Sequence, residues 1–218
     1  VPADQHGLYF RRGNSNQEFV VNDGGVAYAS SLSDAATNNR FTENEGGMIT
    51  TQFYTVAQSP IGFAGSDYAV GGTQDNGSYA LINSNKNKTN GTFLSGGDGA
   101  ETVFDQVGGD YLLTNYVYND AINRVGFNVG GVVDSSKDLT SSLGISSDEG
   151  SFINPGALDS NQDVYFSNAG NNIRVITGLE RGGTPATFLI TGVTSGSDYV
   201  TTLEVSRHTT DTLSLIHI

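Results

Sequence analysis

The sequence has no cysteine and no tryptophan, and only 4 of its 218 residues are proline. Without cysteine, the chain can form neither disulfides nor thiolate metal sites. It has no apolar run near the ~20 residues that a membrane-spanning helix needs, so we expect no membrane span. No long stretch repeats its apolar residues with the 3.6-residue period of a helix, so helices should be scarce.

Basic residues are also few, because 10 Lys and Arg stand against 23 Asp and Glu, which gives a formal net charge of −13. A surface this acidic repels phosphate backbones, so we expect no nucleic-acid partner. The chain is rich in glycine (29), tyrosine (10) and phenylalanine (11). Aromatic and β-branched residues recur between clusters of turn residues, and this pattern favours short strands joined by tight turns.

A unit of two strands around a polar turn repeats along the sequence. Its copies are residues 18–30, 67–81, 110–125 and 163–176. A further strand precedes each copy, near residues 6, 51, 101 and 151, and a fifth such strand begins near 199. The repeat length of about 45 to 50 residues, with four short strands in each, is that of a β-propeller blade. We therefore predict an all-β fold with about four four-stranded antiparallel blades in an incomplete ring, formed by residues 1–212.

The two ends of the sequence look truncated. The last residues, "LSLIHI" (213–218), read like the end of a sequencing adaptor, so we expect a non-native tail there. An ordinary terminal strand is the alternative. The chain begins at Val1, without an initiator Met or a signal peptide. We therefore expect a fragment whose remaining blades are missing.

Two glycine-flanked aspartates, Asp75 and Asp98, lie in neighbouring turns of one predicted blade. Successive strands of an antiparallel meander reverse direction, so turns separated by two strands lie at the same end of the sheet. We expect both acids at a ligand-binding rim, where a protein or a glycan would bind. The other residues predicted for this rim are Asp23, Glu43, Glu45, Asn76, Tyr118, Asn119 and Asp120. The same rule of strand reversal places five further residues at this end: Asp4, His6, Asn168, Asn171 and Asn172.

Several segments resemble a known family. They are "NDGGVAYAS", "NEGGMITTQFYTVAQSP", "GGTQDNGS" and "GGDGAETVFD". Together they resemble the exported bacterial BNR/Asp-box propeller proteins, which are also described as sortilin-like or glycosyl-hydrolase-like. The resemblance implies a secreted or cell-surface propeller. An Asp-box reads roughly Ser-x-Asp-x-Gly-x-Thr-Trp, and the nearest segment here, "SLSDAATNNRF" (31–41), lacks the Gly and the Trp.

Two functions follow from this interpretation. The first is a non-catalytic ligand-binding or scaffold module. The alternative is part of a propeller-type glycoside hydrolase acting on β-glucan-like polysaccharide, with Asp98 or Asp75 supplying one of two carboxyls ~5–9 Å apart. Aspartates in glycine-rich turns also have a plain structural use, since they cap backbone N–H groups.

The segment "DSNQD" (159–163) has oxygen ligands at alternate positions, as calcium loops do. However, Val164 stands where such a loop needs Gly, and Gly170 stands where it needs Glu. We therefore predict a plain hairpin turn here, with no metal site and no cofactor.

Overall fold

The structure is a computed structural model that describes residues 4–22, 25–33, 42–43, 51–65, 68–82, 91–195, 200–206 and 213–216. These residues form an all-β structure with little helix, which confirms the all-β part of the predicted fold. Its contacts divide the chain into two compact units, residues 1–52 and 53–218.

The first unit holds one antiparallel sheet whose strands pair in chain order. The strands are β1 (Gln5–Arg11), β2 (Asn14–Asn22), β3 (Gly25–Ala29) and β4 (Thr42–Glu43). Buried and less buried residues alternate along β3 and the second half of β2, as expected for strands with one covered face. The rings of Phe19 and Tyr28 pack across this pair, with their centroids 5.0 Å apart.

The second unit holds three further four-stranded antiparallel sheets and one strand pair, all paired in chain order. The first of these sheets contains β5 (Phe53–Gln58), β6 (Tyr68–Thr73), β7 (Gly77–Ile82) and β8 (Thr92–Ser95). The next contains β9 (Gly99–Phe104), β10 (Tyr111–Tyr116), β11 (Ile122–Phe127) and β12 (Val133–Asp138). The last contains β13 (Gly156–Leu158), β14 (Tyr165–Ala169), β15 (Asn172–Thr177) and β16 (Ala186–Ile190). The strand pair is β17 (Thr202–Val205) with β18 (Leu213–Ile216).

The predicted four-stranded antiparallel sheets are confirmed, but one predicted strand is much shorter than expected. Of the segment 151–159, only Gly156–Leu158 is a strand. The preceding residues close into a turn, because the Asn154 side chain accepts a hydrogen bond from the Ser151 backbone N–H at 2.7 Å. Residues 213–216, expected to belong to a non-native tail, form β18. The origin of that tail stays a prediction.

A short helix, α1 (Leu139–Leu143), follows β12. Asp138 caps its start by accepting a hydrogen bond from the Ser141 backbone N–H at 3.2 Å, and Gly144 ends it in a left-handed conformation. A helix this short leaves no periodic pattern in the sequence, which is why the sequence did not predict it.

Consecutive sheets of the second unit pack on one another through three apolar clusters. The first strands touch in order: β5 contacts β9, β9 contacts β13, and β13 contacts β17. The cluster between the first two sheets includes Tyr68, Val70, Phe104, Leu112 and Phe127. The next cluster includes Tyr111, Ile122, Leu139, Tyr165 and Ile176. The third joins Phe166, Ile173 and Val175 to Val200 and Leu203.

Strand β9 lies directly against the backbone of β6 and β7. A Cβ atom added to Gly72 would lie 2.1 Å from the Ala100 carbonyl oxygen, and one added to Gly99 would lie 2.4 Å from the Gly77 carbonyl oxygen. Thr55 reinforces the contact by donating from its hydroxyl to the Ala100 carbonyl at 2.8 Å. Glycine is therefore required here because the two backbones touch.

Replacing Gly72 by Ala should destabilise the protein by about 1–3 kcal/mol, because the added methyl group meets a backbone carbonyl that cannot rotate away. Chemical denaturation followed by circular dichroism measures the change. Gly96→Ala is the matched control, because a Cβ at Gly96 finds only ordinary contact with Phe93, at 3.6 Å. Equal stabilities of the two variants would contradict the close backbone contact.

Candidate functional site

The two glycine-flanked aspartates meet at one end of the second unit. The backbone N–H of Asp75, in the β6–β7 turn, donates a hydrogen bond to Oδ1 of Asp98, in the β8–β9 link, at 3.0 Å. Asp75 itself has a positive φ of 59°. We use the name rim for turns 74–76 and 117–121 together with links 96–98 and 147–155.

The charges of these two aspartates act on a tyrosine at the start of β5. Partial burial, and then the negative charges of Asp98 and Asp75, raise the pKa of Tyr54 above its ordinary value. The hydroxyl of Tyr54 therefore stays protonated at neutral pH and can donate a hydrogen bond. The aspartates and this tyrosine form a polar group that combines negative charge with a donor.

Three aromatic rings extend from this polar group across the rim, and we call them the aromatic row. Tyr54 packs edge to face with Phe152, with centroids 6.2 Å apart, and Phe152 packs similarly with Tyr118 at 5.5 Å. Phe152 is 42% exposed and Tyr118 is 37% exposed. Neither Tyr54 nor Phe152 was predicted as a site residue. The aromatic row thus offers partly exposed ring surface beside carboxylates.

The backbone that presents Tyr118 is held in an unfavourable conformation. Tyr118 and Asn119 both have left-handed φ values, 60° and 64°. Such residues cost about 1–3 kcal/mol each and need support from their surroundings. The support is a backbone clamp, in which the Tyr118 N–H donates to the Ser151 carbonyl at 3.1 Å and the Gly150 N–H donates to the Tyr118 carbonyl at 3.1 Å.

Asp120 adds a second link between turn 117–121 and link 147–155. Its Oδ1 atom accepts a hydrogen bond from the Asp148 backbone N–H at 2.7 Å, and Asp148 also has a positive φ, of 57°. The carboxylate of Asp120, predicted to face a ligand, is thus engaged in part by the protein itself. The loops that carry Tyr118 and Phe152 are consequently tied together on both sides.

A buried group of amides and hydroxyls lies beneath the rim, and we call it the amide network. Oδ1 of Asn119 accepts from Asn115 at 2.6 Å, from Asn154 at 2.7 Å and from the Ser167 hydroxyl at 3.0 Å. The Asn119 amide nitrogen donates to the Asn168 carbonyl at 2.9 Å. The sequence analysis placed Asn119 among the ligand-binding residues of the rim, but its side chain is 0% exposed and so does not face a ligand at the surface. It positions the rim instead.

Asn154 connects the amide network to the loop of Phe152. Its Oδ1 atom accepts from the Ser151 backbone N–H and, at 3.0 Å, from the Asn168 amide. Asn168 was also predicted at this end of the sheet, and it too is 0% exposed. The network therefore joins the loops on which two of the three rings lie.

Three further residues predicted at this end, Asn76, Asn171 and Asn172, bond to backbone groups of their own or neighbouring loops. The amide of Asn76 donates to the Gln74 carbonyl within its own turn, at 2.9 Å. Asn172 accepts from the Gly192 backbone N–H at 3.1 Å, whereas the Asn171 carbonyl accepts from the N–H of Val193 at 3.0 Å.

Further predicted residues belong to the first unit. Asp4 and His6 lie at the start of its sheet, and Asp4 is exposed. Glu43 ends β4, and only its backbone is described. Asp23 and Glu45 lie outside the described residues.

The segment 159–163 has the structure of a capped turn. Asp159 is 1% exposed, and its carboxylate accepts backbone N–H groups from Asn161 (3.1 Å), Asp163 (2.8 Å) and Val164 (2.9 Å). Asp105 caps the corresponding turn of the previous sheet in the same way. An aspartate that caps the turn after the first strand therefore recurs in these two sheets. The sequence analysis did not predict this feature of the repeat.

In the described part of the chain, no three His, Cys, Asp or Glu side chains lie together in a way that could hold a metal ion. Nor does any described helix have the length and apolarity to cross a membrane.

No known protein family matches the sequence, and no curated protein matches it. A solved structure does. It is the crystal structure of a functionally unknown protein from Desulfotomaculum acetoxidans, with a TM-score of 0.52 and 12% sequence identity. The match covers 99% of this chain and 63% of that one, so the present chain spans less than two thirds of the neighbour's length. At this level of identity, the likeness concerns the fold alone.

The amide network should be essential for stability. Replacing Asn119 by Ala leaves the donors of Asn115, Asn154 and Ser167 without their shared acceptor, and each unsatisfied buried group costs about 1–3 kcal/mol. Asn161→Ala is the matched control, because Asn161 is exposed. Thermal and chemical denaturation compare the two variants. If Asn119→Ala unfolds like Asn161→Ala, the network does not support the fold.

Proposed function

We propose that this chain is part of an exported bacterial β-propeller of the BNR/Asp-box type and that its rim binds a glycan. The protein would act as a secreted or cell-surface binding module. The observation that carries the proposal is the aromatic row of Tyr54, Phe152 and Tyr118 beside the carboxylates of Asp98 and Asp75.

The order of the sheets supports the propeller interpretation. In a propeller, each blade is an antiparallel meander, and the first strands of successive blades stand next to one another. The second unit has three such meanders in succession, and their first strands β5, β9 and β13 contact each other in that order. The remaining blades of the ring would be supplied by parts of the protein beyond this sequence.

The composition of the rim favours a glycan over other ligands. Sugars present C–H faces that pack on aromatic rings and hydroxyls that bind carboxylates. The rings of Phe152 and Tyr118 are partly exposed, and Asp75 and Asp98 lie beside Tyr54. The rings come from different loops that are tied together beneath the surface. Their spacing is therefore set before a ligand arrives, which lowers the entropic cost of binding.

Hydrolysis of a β-glucan-like polysaccharide is the second candidate. The observation that favours it is the proximity of Asp75 and Asp98, which a two-carboxyl mechanism requires. The observation against it is that Oδ1 of Asp98 already accepts a backbone hydrogen bond, which is the ordinary use of aspartate in such turns. We therefore place binding first.

Replacing Tyr118 or Phe152 by Ala should weaken glycan binding about tenfold, equivalent to about 1.4 kcal/mol, because each ring contributes on that scale. Isothermal titration with xyloglucan, cellohexaose and laminarihexaose measures the affinity. Phe188→Ala is the matched control, because Phe188 is a 53% exposed aromatic residue on β16, outside the rim. If none of these glycans binds, or if the control variant loses as much affinity, the rim is not the binding site.

The variant Asp98→Asn separates binding from hydrolysis. Asparagine keeps an oxygen that can accept from the Asp75 N–H, so the turn should remain intact while the charge is lost. We expect no release of reducing sugar from either the parent protein or the variant. Release by the parent that is abolished in the variant would instead establish the hydrolase function.

A further inference from the structure

A concave surface outside the rim lies along the first strands of three successive sheets. It is an open groove with a volume of about 460 Å³. Its walls include Val56 of β5, Glu101 and Val103 of β9, and Leu158 of β13. This volume is within the range of small-molecule sites.

One end of the groove is closed by a glutamine bridge. The side chain of Gln106 donates to the Gln58 carbonyl at 2.7 Å, and its backbone N–H donates to the side chain of Gln162 at 3.0 Å. These bonds join the end of β5 to the loop that follows β13. The side chains of Gln106 and Gln162 are thus engaged by the protein, and the ionisable group among the described lining residues is a carboxyl.

That carboxyl belongs to Glu101, which faces the β13 side of β9. Alternate residues of β9 point to opposite faces, and Thr102 and Phe104 point toward the β5–β8 sheet. Val103 packs instead with Tyr165 and Leu158, and Glu101 shares that face. Burial, and then the charge of Glu101, raise the pKa of Tyr165, as expected for side chains on neighbouring strands.

No basic side chain among the described lining residues pairs with Glu101. Burial raises its pKa from an ordinary 4.5 to about 7, and a hydrogen bond with the Thr102 backbone only partly offsets that rise. Of the lining residues that the structure describes, none is Lys, Arg or His. The titratable groups on the elements that contact β9, and on β14, are mainly tyrosines: Tyr54 on β5, Tyr68 on β6, Tyr79 on β7, Tyr111 and Tyr116 on β10, and Tyr165 on β14, with Asp159 after β13. None of them carries a positive charge.

We propose that this groove binds a primary aliphatic amine, whose ammonium group pairs with the carboxylate of Glu101 while its carbon chain lies along Val56, Val103 and Leu158. None of the described lining residues supplies a cation, and a half-buried carboxylate is stabilised chiefly by an opposite charge. β9 is also the edge strand of its sheet, so carbonyl groups on its outer side are not used by the ladder. The formal net charge of −13 further favours a cationic ligand. This inference is independent of glycan binding at the rim.

The amine could belong to a free diamine or to a lysine side chain, and two probes distinguish these sources. Isothermal titration with 1,4-diaminobutane and with Nα-acetyl-lysine methylamide should show binding of at least one probe at about pH 8, where Glu101 is ionised. A preference for the first probe indicates a free diamine, and a preference for the second indicates a lysine-containing partner. If neither probe binds, the proposal is overturned.

The Glu101→Gln variant should bind the amine at least about tenfold more weakly, because it lacks the charge that holds the ammonium group. Glu204→Gln is the matched control, since it removes the same charge from an exposed position on β17 and tests for non-specific attraction. Equal losses of affinity in the two variants, or none in Glu101→Gln, would refute the site.

Proton release provides a measurement on the unmodified protein. Near pH 6, Glu101 is largely protonated, so binding an ammonium group should expel a proton, and the measured enthalpy should depend on the ionisation enthalpy of the buffer. A carboxylate with an ordinary pKa is already ionised at that pH and expels none. Binding near pH 6 without this buffer dependence would rule out Glu101 as the partner.

The stability of the variant checks the same residue without a ligand. Because the pKa of Glu101 is raised in the folded protein, the folded state binds more protons than the unfolded state between pH 4.5 and about 7, so the free energy of unfolding falls as the pH rises through that range. Glu101→Gln should remove this part of the profile, and chemical denaturation across the range measures it. An identical profile in the variant would contradict the proposed environment.

Discussion

The direct contact between the backbone of β9 and the backbones of β6 and β7 determines how the rest of the second unit is arranged. Because Gly72 and Gly99 have no side chains, the two sheets approach until carbonyl oxygens limit the distance. This closeness allows the backbone of Asp75 to reach the carboxylate of Asp98, and it sets β5 beside β9 to form one wall of the groove. The glycine-rich sequence around the two aspartates is therefore explained first by packing between sheets.

The rim is built in two layers with different chemistry. The upper layer consists of aromatic rings and carboxylates, and the lower one of amides and hydroxyls that bond to one another and to the backbone. The lower layer holds the strained backbone at Tyr118 and Asn119 and so determines where the rings lie. The proposed recognition surface therefore depends on residues that no ligand would touch.

The sequence predicted the strands well because each blade-like repeat has local signals: apolar alternation within strands, and Gly, Asn and Asp between them. It also predicted that Asp75 and Asp98 lie at the same end of a sheet, which follows from strand reversal alone. It did not reveal whether a turn residue points outward or inward. Asn119 and Tyr118 are neighbours in the same turn, yet one is buried and the other partly exposed. Phe152 and Glu101 were missed for a related reason, because their surroundings are created by how separate sheets stack.

The amide network consists of asparagine and serine side chains, none of which is an acid or a base. The Tyr165 hydroxyl, which bonds to Asn115 and Ser167, keeps its proton because burial raises its pKa well above its ordinary value. The bonds of the network therefore do not change as protons are gained or lost, and added salt screens no charge within it. A change in ionic strength outside the protein would screen the carboxylates of the upper layer while leaving the uncharged bonds of the amide network in place. Such a surface could adjust its affinity to the salt concentration while the network keeps its shape.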